Sequence, residues 1–376
     1  MTAAPRRRSV DAFPRRMTPV EPDPPTEPIP PTVHGITEPI PPTVHGITEP
    51  IPLTVYGITE PIAGPRWQAL FAATWSGYRQ WYLQRDVRPR PDLELAQRML
   101  GTHMPELVPT YERMVGLAEQ IGADEVAARL LTLWDPPRFL PGCSQAVLTG
   151  PPIVLCRNYD YSPDLWERVV YSTAFRGRWV IGNNDCLWGL LDGMNADGLV
   201  VSLSFGGRRG SGPGFAVSLV VRYLLEVAST VGEARDVLQR LPVGMTYNLT
   251  MVDATGAVLT AYVGPGRTPE FSTSPIATNH RGELPDDDDH AHRYASVQRR
   301  THLLAVLADD PTPEQFAEQF LQPPLHSPHY RRAFGTLYTA LYRPADGVLE
   351  LCWPDRRWER RFDDPDGTVD IVLRPS

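Results

Sequence analysis

Gly142-Cys143-Ser144, followed after a short gap by Arg157-Asn158-Tyr159-Asp160-Tyr161, is the stretch from which the rest of the chain is read. The alternation on either side of Gly150-Pro151-Pro152 predicts two short strands, Ala146 to Thr149 and Ile153 to Tyr159, joined by a turn. Such a hairpin would set a cysteine, an arginine and an aspartate side by side, a nucleophile with its electrostatic partners. The cysteine lies deep in the chain, directly behind a small residue that tolerates backbone cleavage.

Working outward, the composition bounds the reading. The 376 residues are 42% hydrophobic, enough for one large core or two ordinary ones. A net charge of -8 argues against nucleic acid or an anionic membrane as the main partner. Cys143, Cys156, Cys186 and Cys352 are too few and too scattered for a disulfide framework or a CxxC metal site, which points to a reducing compartment. No run has the length of a signal peptide's apolar core or of a membrane span, so a cytoplasmic protein is expected.

Upstream, the organisation changes near residue 65. An 11-residue unit runs from Thr26 to Ile36, repeats from Thr37 to Ile47 and returns as a variant from Thr48 to Ile58. Its prolines predict an extended, mobile segment, so residues 1–65 are read as a disordered proline-rich region. Apolar spacings of three and four, through Leu70, Phe71, Trp75, Tyr78 and Tyr82 and again from Ala96 to Met114, predict helices over 66–142. Another is expected from Ala123 to Trp134, stopped by Asp135-Pro136-Pro137.

Downstream the period shifts to two. Strands are expected at Val169 to Phe175, Cys186 to Leu191 and Leu199 to Phe205, with a turn at Gly182-Asn183-Asn184-Asp185. Helices at Phe215 to Ala228 and Val231 to Arg240 follow, then strands at Tyr247 to Val252 and Val258 to Val263. Helices near 291–308 and 312–321 and strands near 336–343, 348–353 and 368–373 close the chain. Segregated blocks of strands and helices predict an α+β fold with two antiparallel sheets between helical layers.

With those blocks in place, the order of motifs resembles a known family. Gly-Cys and Arg157-Asn158-Tyr159-Asp160-Tyr161 are followed by Leu191-Asp192-Gly193-Met194-Asn195-Ala196-Asp197-Gly198-Leu199. Ser202-Leu203-Ser204-Phe205-Gly206-Gly207 and Thr278-Asn279-His280 come next. Together they resemble the N-terminal-nucleophile hydrolases of the acyl-CoA:6-aminopenicillanic acid acyltransferase (peptidase C45) type, and more distantly the choloylglycine hydrolases. The resemblance implies a four-layer αββα fold and autocatalytic scission of the Gly142–Cys143 bond. The helical pro-segment and the catalytic segment 143–376 would then remain associated as two chains.

The chemistry also stands on the residues. A thiol of ordinary pKa, about 8.5, needs a base or a field to act as a nucleophile. Cleavage before Cys143 would create an α-amine of pKa about 7.7 on the same residue, supplying that base. By resemblance, Arg157 and Asp160 would orient the N-terminal cysteine, and Asn279 would donate to the developing oxyanion. Arg293 would be a second active-site arginine. Ser204 stands where bile-salt hydrolases carry an asparagine, and with Tyr161 and Asn248 it is a candidate for substrate contact.

The expected reaction is hydrolysis or transfer of the acyl group of a small amide through a Cys143 thioester, with no cofactor and acyl-CoA as a candidate donor. Two alternatives remain open: an intact cysteine peptidase using His280 or His292 as base, and an inactive binding protein of the same fold. The Asp286–Asp289 run with His290 and His292 is read as a solvated charge run and no metal is expected. Arg208 and Arg209, in the glycine-rich 206–214 loop, are candidates for reaching an acyl donor's phosphates.

Overall fold

The computed structural model describes residues 49–84, 90–139, 141–208, 210–282, 291, 294–330 and 334–375. In chain order the elements begin with strand β1 (Ile51–Thr59) and helices α1 (Pro65–Tyr82), α2 (Leu93–His103), α3 (Val108–Gln120) and α4 (Glu125–Leu131). Strands β2 (Gly142–Leu148), β3 (Val154–Tyr161), β4 (Val169–Thr173), β5 (Val180–Asp185), β6 (Gly189–Asn195) and β7 (Val200–Phe205) follow. Helices α5 (Val217–Val227) and α6 (Val231–Leu238) lead to β8 (Tyr247–Val252), β9 (Val258–Val263), β10 (Glu270–Ser272) and β11 (Ile276–Ala277). After helices α7 (Ser296–Ala308) and α8 (Pro313–Phe320) come β12 (Pro328–His329), β13 (Phe334–Arg343), β14 (Val348–Trp353), β15 (Arg356–Arg360) and β16 (Gly367–Leu373).

Every residue of β2, and all of β3 but its last, is buried, which marks a hairpin covered on both faces. That is how it sits. One sheet runs β11-β2-β3-β13-β14-β15, with β12 on β13, and the other has nine strands in the order β10-β9-β8-β7-β6-β5-β4-β1-β16. β2 lies against β7 and β8 of the larger sheet on its inner side, while α7 covers β2 and β11 and α8 covers β3 and β13 from outside. α5 covers β6 and β7 on the far side, completing the expected αββα order. The ladders are antiparallel apart from β1 with β4.

Helices α1 to α4 form their own cluster and lock onto the larger sheet through two tryptophans. Trp67 of α1 donates its indole N–H to Leu187 O at 3.1 Å, and Trp188 donates to Leu131 O at 3.0 Å. Both rings are fully buried, so truncating either to alanine would cost about 3–5 kcal/mol.

Three expectations need correction. First, the turn expected at Gly182-Asn183-Asn184-Asp185 is strand β5, and the reversal comes later, where Cys186 and Leu187 take left-handed φ values of 56° and 73°. The asparagines are in a strand because their amides are used there: Asn183 donates to Asp192 and Asn184 to Glu167. Second, β15 was not anticipated at all, since Arg356-Arg357-Trp358-Glu359-Arg360 carries charges on both faces of an edge strand.

Third, part of the region read as disordered is a strand. The third repeat unit is β1, an interior strand paired antiparallel with β16 and parallel with β4. This unit differs from its two predecessors where Leu53 replaces a proline and Tyr56 replaces a histidine. Leu53 restores an N–H to the strand, and the Tyr56 N–H donates to Arg168 O at 2.8 Å. Val55 and Ile58 enter the core, and Gly57 leaves room for the Arg360 guanidinium, whose carbon would lie 2.8 Å from a Cβ there. The first two units lie outside the described residues.

Candidate functional site

Strand geometry decides which groups meet. Cys143 is opposite Tyr159 in the β2–β3 ladder, Gln145 is opposite Arg157 and Gly142 is opposite Asp160. Side chains alternate along a strand, so Arg157 and Asp160, three apart, point to opposite faces of the sheet. The two therefore do not pair with each other, and of the two it is Arg157 that reaches the Cys143 side chain. Arg157 faces the larger sheet with Cys143, and Asp160 faces the helices.

On the inner face, Arg157 Nη2 donates to Cys143 Sγ at 2.9 Å, and Nη1 reaches Tyr338 Oη at 3.2 Å and the Asp192 carboxylate. Asp192, on β6 of the other sheet, also accepts from Asn183 at 2.7 Å, Tyr338 at 2.7 Å and Tyr342. The guanidinium carbon lies 5.1 Å from the Tyr159 ring centroid, so the charge is also met by an aromatic face. Burial would lower the Arg157 pKa, but Tyr338, Cys143 and Asp192 outweigh it and hold the group well above its usual value. Cys143 is completely buried, and that burial pushes its thiol up to about 11 despite the arginine. Burial thus favours the protonated thiol at Cys143.

On the outer face, Arg299 of α7 joins everything else. Its Nη1 donates to Asp160 at 2.7 Å and Ser144 Oγ at 3.0 Å, and its Nη2 to Asn279 Oδ1 at 3.1 Å and to Tyr294 O. Asn279 Oδ1 also accepts the Cys143 backbone N–H at 3.0 Å, while Nδ2 gives one proton to Phe205 O at 3.1 Å. An amide nitrogen has two protons, so Asn279 keeps a second donor. Gly207 allows this approach: its φ is 80°, and a Cβ on it would lie 2.6 Å from Asn279 O.

Arg299 is the residue the sequence reading missed. Arg293, read as the second arginine, lies outside the described residues, as do His292, the Asp286–Asp289 run and Arg209. A signal for Arg299 exists: with Ser296, Leu303 and Val306 it forms the buried stripe of α7, and an arginine in such a stripe needs a buried acceptor.

The remaining candidates divide. Ser204 Oγ donates to Thr278 O at 3.0 Å, and Asn248 Nδ2 to Thr278 O at 2.9 Å and His280 O at 3.0 Å. Both side chains therefore hold the segment that carries Asn279. Tyr161, half-buried, shares the inner face with Tyr159, their ring centroids 6.0 Å apart. His280 Nδ1 is 2.7 Å from Ser296 Oγ, and the hydrogen bond to Cys143 Sγ comes from Arg157 instead of a histidine. A Cys–His dyad through His280 is thus not assembled. Among the described residues, no group of three or more His, Cys, Asp or Glu could hold a metal ion, and no helix is long and apolar enough to cross a membrane.

The family model described as acyl-coenzyme A:6-aminopenicillanic acid acyl-transferase matches residues 148–358, a span that starts after Cys143 and contains Arg157, Asp160, Asn279 and Arg299. No curated protein matches. Among solved structures, penicillin V acylase from Agrobacterium tumefaciens is 13% identical over 58% of this chain and 84% of its own, with a TM-score of 0.38. A variant of conjugated bile acid hydrolase from Clostridium perfringens is 12% identical over 62% and 98%, with a TM-score of 0.40. The Caenorhabditis elegans ortholog of N-acylethanolamine-hydrolyzing acid amidase is 15% identical over 54% and 92%, with a TM-score of 0.41.

Proposed function

The chain belongs to the acyl-coenzyme A:6-aminopenicillanic acid acyl-transferase family, and from that premise we propose that it is a self-processing cysteine amidohydrolase or acyltransferase with Cys143 as nucleophile. The observation that supports this reading is the double hold on one residue. Arg157 meets the Cys143 sulfur at 2.9 Å while Asn279 meets the Cys143 nitrogen at 3.0 Å.

In the uncut chain the Sγ attacks the Gly142 carbonyl, the C–S bond forms, the peptide C–N bond breaks and the thiol proton passes to the departing nitrogen. Water then releases Gly142 as a carboxylate. The new α-amine, of pKa about 7.7, replaces the peptide nitrogen at Asn279 Oδ1 and becomes the base for later turnovers. Each turnover repeats the exchange on the acyl group of a small amide or an acyl-CoA, and the thioester is resolved by water or by an acceptor amine. Arg157 lies where it stabilises the thiolate as it forms, and the second Asn279 N–H serves the oxyanion, an interaction worth on the order of 3 kcal/mol.

The segment upstream of the cut contributes β1 to the interior of the larger sheet, which supports a product whose two chains remain associated. Intact-mass analysis is the test. Fragments ending at Gly142 and beginning at Cys143 are expected, and Cys143→Ala should stay whole. Asn279→Ala should slow both scission and amide cleavage by about two orders of magnitude. A whole wild-type chain that still cleaves amides would remove the self-processing mechanism.

A further inference from the structure

Gly142 is the first acyl group that Cys143 meets, and the wall it rests on can be identified. A Cβ built on Gly142 would lie 2.0 Å from Phe334 Cε2 and 2.2 Å from Phe334 Cζ, well inside any non-bonded carbon contact. The three nearest atoms all belong to that ring. The ring is also held in place. Tyr294 meets it edge-on with centroids 4.6 Å apart, and the Arg299 guanidinium carbon lies 5.7 Å from its centroid. Arg299 is itself fixed by Asp160, Ser144 and Asn279, so Phe334 packs against the group that links Asp160 to the Asn279 that holds the Cys143 nitrogen.

We propose that Phe334 determines specificity by admitting only acyl groups whose carbon next to the carbonyl is an unbranched CH2. The substrates are then amides or acyl-CoA thioesters of α-unbranched carboxylic acids. This rests on the acyl-transfer reading above. During scission the Gly142 acyl carbon passes from the Cys143 nitrogen to Sγ. During turnover a substrate's acyl carbon passes from its amine, or from the thiol of coenzyme A, to the same Sγ. In each case one C–S bond forms, the bond to the leaving group breaks, and the thiol proton leaves on the departing nitrogen or sulfur. Both reactions end as thioesters on one sulfur, and the proposal is that their α-carbons meet the same wall. Glycine is the one residue whose α-carbon resembles the CH2 of a straight-chain acid.

Two measurements test the same ring. In the full chain, Gly142→Ala should remain uncut, and adding Phe334→Ala should restore fragments beginning at Cys143. With the processed wild type, a straight-chain N-acyl amide should be cleaved with kcat/KM about a hundredfold above that of its α-methyl analogue on the same amine, the size expected for excluding one methyl group. Phe334→Ala should close most of that gap by raising the branched rate, and Phe334→Leu serves if the alanine variant shows no cooperative melting. Equal rates for the two amides with wild type, or normal scission of Gly142→Ala, would overturn the assignment of Phe334 alone. Failure to cleave either amide or any acyl-CoA would instead overturn the acyl-transfer reading.

Discussion

Arg157–Asp192, between the sheets, and Arg222–Glu226, on α5, are both fully buried arginine–carboxylate pairs, yet the two carboxylates are met very differently. Asp192 collects donors from Arg157, Tyr338, Tyr342 and Asn183. Glu226 has Arg222 at 3.5 Å, and neither of its oxygens has a hydrogen-bond partner among the described residues. The arginines reflect this. Arg157 is held well above its usual pKa by its neighbours although burial acts to lower it, whereas burial wins at Arg222 and lowers it. Burial likewise pushes Glu226 up to about 7, more than Arg222 can offset. An opposite charge alone does not compensate a buried ion; a filled set of hydrogen bonds does.

The largest test removes the better-satisfied pair. Asp192→Asn leaves Arg157 as a buried charge without its counter-ion, and we expect a loss of about 3–5 kcal/mol, read as a fall of about 5 °C in Tm. Scission should slow with it, because Arg157 is the donor to Cys143 Sγ. If Asp192→Asn proves no more costly than Glu226→Gln, the contrast between the two pairs is void.

Glu226→Gln should act on pH dependence. An ordinary glutamate ionises near 4.5, whereas folded Glu226 keeps its proton up to about 7. Its folded value is raised, so its contribution to stability is complete below the ordinary value and is lost as pH rises through that window. Urea unfolding from pH 4.5 to about 7.5 should therefore show the wild type losing up to about 3 kcal/mol that the glutamine variant does not lose. A parallel pair of profiles would mean that Glu226 is better satisfied than its contacts indicate.

The smallest effect concerns Cys143. With its thiol at about 11 in the uncut chain, the thiolate fraction at pH 8 should be about a hundredfold below that of an unperturbed cysteine. Alkylation of Cys143 in the Gly142→Ala chain, which should remain uncut, followed by mass spectrometry, should accelerate from pH 8 toward pH 11. A rate already at its plateau by pH 8 would show that the Arg157 charge outweighs burial and lowers the thiol pKa.

These pairs also mark what was legible in the sequence. The layer order was readable because strand period, helix period and turn chemistry agree over most of the chain, and Cys143, Arg157, Asp160 and Asn279 stand in short recognisable strings. Partnerships were not readable, because they join residues far apart: Arg157 finds Tyr338 on β13, and Asp160 finds Arg299 on α7. Three-residue spacing on a strand could have warned that Arg157 and Asp160 diverge. Nothing local distinguished the Asn183-Asn184 strand from a turn, since its amides are satisfied by Asp192 and Glu167, nine and 17 residues away. β1 was hidden by its proline-rich predecessors, which differ from it at only two positions.

That strand bears on refolding. An uncut chain carries β1 on the same molecule as β4 and β16, so rebuilding the nine-stranded sheet after denaturation is a first-order event. Once Gly142 and Cys143 part, the interior strand and the two that flank it belong to different molecules, and recovery becomes second-order in protein concentration. The mature enzyme would then persist through a barrier to unfolding more than through an equilibrium, with scission acting as a one-way step after folding.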